Sequence, residues 1–141
     1  MNDYKVISID PVTREVTIKP PATPTKVSGL EKLVQVVVLA LINRPGRSAM
    51  YPTSGAGMHD FIGQYNMAVN DPSETLGAVM ERVEKIKEEI LEYQNSLTNE
   101  DPSERLKDFT ALSVEQGTQI DQVVVKFRLV SEAGDVANFA I

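Results

Sequence analysis

Leu76, Val79, Val83, Ile86, Ile90, Tyr93 and Leu97 recur at alternating spacings of three and four. Only an α-helix gathers all of them on one side, because three or four residues complete about one turn. Asp71-Pro72-Ser73-Glu74 marks where that helix starts. Asp is the N-cap, Pro occupies the first helical position and Glu sits in the first turn. From there to Leu97 the predicted helix is about 39 Å long at 1.5 Å per residue. Its other face carries Glu81, Arg82, Glu84, Lys85, Lys87, Glu88, Glu89 and Glu92, with Glu81 and Lys85 spaced for an i,i+4 pair. The apolar stripe has three readings. It packs on the domain's own sheet and first helix, it forms a coiled coil with another chain, or it walls a small-ligand groove.

A second helix is predicted over Gly29 to Asn43. Ser28 with Glu31 three residues later has the form of a capping box. The run Val36 to Ile42 is apolar all round, which predicts burial on every side. A Val-rich run also suits a strand; the cap and the length favour helix. Pro45-Gly46 ends it. The stretch Asn43 to Met58 then holds two prolines and three glycines. Such punctuation fixes one backbone path and presents Arg44 and Arg47 at a corner. Met58 to Asn66 reads as a short helix.

The flanks alternate with period two. Tyr4 to Asp10 and Thr13 to Lys19 predict a β-hairpin. Three prolines in Pro20-Pro21-Ala22-Thr23-Pro24 predict an extended linker. Asp101-Pro102-Ser103-Glu104 repeats the earlier capping tetrapeptide. After it, Phe109 to Glu115 reads as a strand. Val123, Val125, Phe127 and Leu129 share one face of the next strand. Gly134-Asp135 supports a tight turn into a last strand, Val136 to Ile141. Phe139-Ala140-Ile141 has no Pro or Lys to blunt its edge, so it either lies inside the sheet or pairs with a strand of another chain.

Composition excludes several classes of function. Cys is absent and the net charge is −6. There are no disulfides, thiolate metal sites or thiol nucleophiles. Nucleic acid is an unfavourable partner for an acidic chain. The start, Met1-Asn2-Asp3-Tyr4, has no signal-peptide pattern, and no apolar run approaches the roughly 20 residues needed to cross a bilayer. His59 has no second His or Cys at ligand spacing. Gly55-Ala56-Gly57 lacks the lysine and leading strand of a phosphate loop. Ser48, Ser54 and Ser113 lack a nucleophile-elbow context. Glu104 would need a dry pocket to act as a general acid. No cofactor is expected.

The helix Leu30 to Ile42, the corner Asn43-Arg44-Pro45-Gly46-Arg47 and the loop Pro52 with Ser54-Gly55-Ala56-Gly57-Met58 resemble a known family. It is the baseplate wedge and sheath-initiator family of contractile-tailed bacteriophages, the "lysozyme-like" wedge proteins, related to type VI secretion baseplates. The resemblance spans about Leu30 to Val130. Arg47 stands where relatives tend to have Glu. Relatives carry a Glu-Pro-Arg motif after the long helix that grips the wedge's helical bundle. Here the order is Pro102-Ser103-Glu104-Arg105, with the proline displaced.

The expectation is an α+β domain, with helices, one of them long, on a small, mostly antiparallel sheet and a projecting C-terminal β-hairpin. Residues 1–27 form the hairpin and linker, 28–121 the wedge-like core and 122–141 the sheath-contacting hairpin. The resemblance implies a non-enzymatic virion part, assembled in the host cytoplasm. Its partners would be the tail sheath protein, other wedge proteins and the tail tube or hub, with sixfold placement around the tail axis. Expected interface residues are Arg44, Arg47, Glu104, Arg105, Val123, Val125, Phe127, Val136, Phe139 and Ile141. The alternative is a cytosolic module that dimerises through the heptad helix.

Overall fold

The computed structural model describes residues 3–19, 21–43, 55, 57, 72–96, 101–116 and 123–141. Arg44, Arg47, His59 and the short helix expected over 58–66 lie outside the described residues. The elements follow the predicted order. Short strands β1 (Asp3–Tyr4), β2 (Ile7–Ile9), β3 (Val16–Ile18) and β4 (Lys26–Val27) precede helix α1 (Gly29–Ile42) and helix α2 (Pro72–Asn95). Strands β5 (Leu106–Gln116), β6 (Val123–Ser131) and β7 (Val136–Ala140) follow. The fold is α+β, and all the strand pairs are antiparallel: β1 with β4, β2 with β3, and a sheet in the order β5-β6-β7.

The two helices and the three-stranded sheet enclose one core. From α2 come Val79, Val83, Ile86 and Ile90; from α1 come Leu33, Val34, Val37, Val38 and Leu41. The stripe on α2 therefore packs on the chain's own sheet and first helix, the first of its three readings. Tyr93 is its exception, 58% exposed, and Leu97 lies outside the described residues. On the sheet, period-two alternation turns Val125, Phe127 and Leu129 inward while Lys126 and Arg128 stay exposed. Phe109, Phe127 and Phe139, one from each strand, stack with ring centroids 5.4–6.1 Å apart.

Three expectations are corrected. The end of α1 is not buried on every side: Leu39 is 37% exposed, because one face of the helix turns away from the core. Ser28 makes no side-chain capping bond, and Glu31 pairs with Lys5 at 2.6 Å. The β6–β7 hairpin does not project, because Phe127, Phe139, Ala137 and Ala140 are buried. The N-terminal hairpin joins the same core through Ile7.

Candidate functional site

The turn between α2 and β5 joins both helices to the sheet through polar groups. Asp101 Oδ1 accepts from the Ser103 N–H at 3.0 Å and the Ser103 hydroxyl at 2.7 Å, closing a 3₁₀ turn over Pro102–Glu104. The Ser103 hydroxyl, then its N–H, holds the Asp101 carboxyl below its usual range. The turn aims Glu104 at the start of α1. Its Oε1 accepts from the Gly29 N–H at 3.1 Å, and its Oε2 lies 3.4 Å from Lys32 Nζ. Gly29 has φ 66, a conformation open to glycine. Glu104 thus does the work expected of Ser28, and its negative charge sits where the helix dipole favours it.

Arg105 points the other way. Its guanidinium donates to the Gln94 carbonyl at 3.4 Å and to Asn95 Oδ1 at 3.2 Å, at the C-terminus of α2, and to Glu132 at 3.2 Å. A cation belongs at that end of a helix. Both residues are engaged inside the fold. The side chains of Glu104 and Lys32 are 8% and 12% exposed, and the lysine meets the carboxylate that a general acid would need to hold protonated.

Two buried glutamines perform a matching task that the sequence pattern did not single out. Gln35 donates to the Tyr4 carbonyl and accepts from the Val6 N–H, each at 2.9 Å. Gln94 donates to the Glu104 carbonyl at 3.0 Å and accepts from the Leu106 N–H at 2.8 Å. Each amide bridges residues i and i+2 of an extended segment, as a neighbouring strand would. The available signal was one amide amid apolar neighbours, as in Val34-Gln35-Val36.

The Asn43 corner is pinned to α2. Gly57 donates to the Asn43 carbonyl at 2.8 Å, and Gly55 donates to Glu89 Oε2 at 3.2 Å. Lys85 Nζ donates back to the Gly55 carbonyl at 2.9 Å and pairs with Glu89 at 3.7 Å. Gly55 has φ 96, and a Cβ there would strike the Asn43 carbonyl.

The sheet edges decide how another strand could bind. On β5, register shifts fall between Leu106 and Asp108 and between Ala111 and Ser113. Such bulges, with Lys107 and Asp108, blunt an edge. On β7, Ile141 and Val125 exchange both backbone bonds at 2.9 Å. Alternation then turns the N–H and C=O groups of Val136, Asn138 and Ala140 away from β6. That edge is not bare. Ala140 donates to the Arg14 carbonyl at 2.9 Å, Glu15 forms a parallel bridge with Ala140, and Arg14 Nε donates to the Asn138 carbonyl at 3.1 Å. Val136 and Asn138 remain exposed.

The expected interface residues therefore separate. Val125, Phe127 and Phe139 point into the core and Ile141 is half-buried; they anchor the edge and do not present side chains on it. Val136 lies on the edge. Val123 lies in β6. Among the described residues no cluster of three or more His, Cys, Asp or Glu could hold a metal ion, and no helix is long and apolar enough to cross a membrane. Comparison with protein-family models, curated proteins and solved structures finds no match. Fold and site define an α+β domain whose sheet ends in a partly open, firmly anchored strand.

Proposed function

We propose that this chain is a structural, non-enzymatic subunit of a contractile-tail baseplate. In this reading it is a wedge protein that links the hub or tube to the sheath and initiates sheath assembly by accepting a β-strand. The sequence resemblance over Leu30 to Val130 supports it. The observation that carries it is the β7 edge: alternation turns the backbone groups of Val136 and Asn138 away from β6, with the Asn138 carbonyl taken by Arg14, while the inward side chains of the same strand end in the Phe109–Phe127–Phe139 stack. A strand added there would pass its load through backbone hydrogen bonds into the core. Backbone pairing also tolerates change in the partner's sequence.

The expected contacts at Glu104 and Arg105 become secondary in this reading, because both groups hold helix ends. Arg44 and Arg47 remain the candidates for docking other wedge chains. The experiment is Asn138→Pro. It removes an outward N–H and leaves the alternate positions that pair with β6. The chain should fold, judged by circular dichroism, yet tails built with it should lack polymerised sheath. Normal sheath on such tails would remove the strand-acceptor role.

A further inference from the structure

The Arg14–Glu15 segment already sits where an incoming strand would pair, and its hold is small. One isolated parallel bridge, which includes the bond from the Ala140 N–H to the Arg14 carbonyl, and one guanidinium bond fix it. Arg14 itself is held at φ 63, the left-handed region that costs a side-chain-bearing residue energy. Asp10 sets that turn. Its carboxylate accepts from the N–H groups of Val12 and Thr13 at 2.8 and 3.0 Å, and Arg14 donates to the Asp10 carbonyl at 2.8 Å. Asp10 to Arg14 are exposed and Glu15 is half-buried, whereas Ile7 at the root of the hairpin is buried. The tip can therefore leave β7 while the root stays in the core.

We propose that Arg14–Glu15 is a displaceable strap on the β7 edge, and that it yields to an extended, proline-free strand pairing with Val136, Asn138 and Ala140. The proposal rests on the strand-acceptor reading above and adds a gate to it. The seated segment indicates the occupant's chemistry. The strap meets the Ala140 N–H and the Asn138 carbonyl, whereas a full strand would also meet the outward groups of Val136 and the Asn138 N–H. The occupant makes a longer ladder on β7 than the strap does. Proline is excluded because alternate N–H groups must point at β7.

The chain has no cysteine, so Glu15→Cys with Ala140→Cys creates one defined lock across the bridge. The probe is a labelled synthetic peptide copying residues 13–19, which contains the Arg14–Glu15 pair that already meets this edge. Full-length Arg14→Ala protein should bind it at least about tenfold more tightly than the wild type. The oxidised double-cysteine protein should not bind it, and reduction should restore binding. Equal binding to oxidised and reduced protein, or none to Arg14→Ala, overturns the proposal. Amide exchange provides a readout on the unaltered chain. The Ala140 N–H, which faces the strap, should exchange at least about tenfold faster than that of Phe139, which faces β6; equal protection overturns the strap. If the lock blocks the peptide but tails carrying locked protein still polymerise sheath, the strap stands and the baseplate reading fails.

Discussion

Glu104 and Arg105 are neighbours in sequence and hold opposite ends of different helices. This is possible because Glu104 closes the 3₁₀ turn while Arg105 is already extended, so their side chains diverge. Glu104→Gln keeps an acceptor for the Gly29 N–H but removes the charge facing Lys32 and the helix start. It should lower stability by about 1–2 kcal/mol, read as a lower urea midpoint with an unchanged slope. Lys87 and Asp108, 3.0 Å apart, set a pH dependence. The hydrogen bond from Lys87 holds the Asp108 carboxyl below 3.8, and the bond to Asp108 holds the Lys87 ammonium above 10.5. A depressed carboxyl stabilises the fold above its unfolded value and loses that contribution as pH falls through its folded value. A raised ammonium stabilises below its unfolded value and loses it as pH rises through its folded value. The pair should contribute from about pH 4 to pH 10 and weaken on either side. Asp108 is largely exposed, so the size is a fraction of 1 kcal/mol. Denaturation midpoints of Lys87→Ala should differ from the wild type at pH 7, and the difference should shrink as the pH falls below 3.8.

At the scale of elements, α2 and β6 were legible because each repeats one period over many residues, α1 because of its length, and β7 because of the turn before it. The β2–β3 hairpin was legible too. Strands β1 and β4 were not, since two residues carry no period. The capping box at Ser28 failed because a better acceptor, Glu104, arrives from 75 positions away along the chain. Of the corner after α1 only Asn43, Gly55 and Gly57 are described, and the fastening of Gly55 to Lys85 and Glu89 is a tertiary fact. Gly55→Ala should lower stability by about 1–3 kcal/mol, measured by thermal melting, because both φ and the Asn43 carbonyl oppose a Cβ. Ile86→Asp places a carboxylate in the core and should unfold the chain, not dissociate a dimer. Loss of far-UV circular dichroism together with the thermal transition would show this. A folded monomeric variant would restore the coiled-coil alternative.

For the molecule as a whole, the N-terminal hairpin shares the core with the helices and the sheet, and Gln35 ties it to α1. Hairpin and core should therefore unfold in one transition. A fluorophore in the hairpin and far-UV circular dichroism should report the same urea midpoint; separate midpoints would make residues 1–27 an independent unit. Local release of the strap is compatible with this, since it opens only the loop tip. By itself the sequence determined the α+β class, the two helices, the alternating strands and the absence of thiol chemistry. These follow from periodicity and composition, which act over neighbouring residues. The tertiary structure alone decided that β7 is anchored by three stacked rings, that Arg14 covers its edge and that Glu104 caps a distant helix. Each of those contacts joins residues far apart in the chain, and local pattern carries no record of which distant partner will arrive.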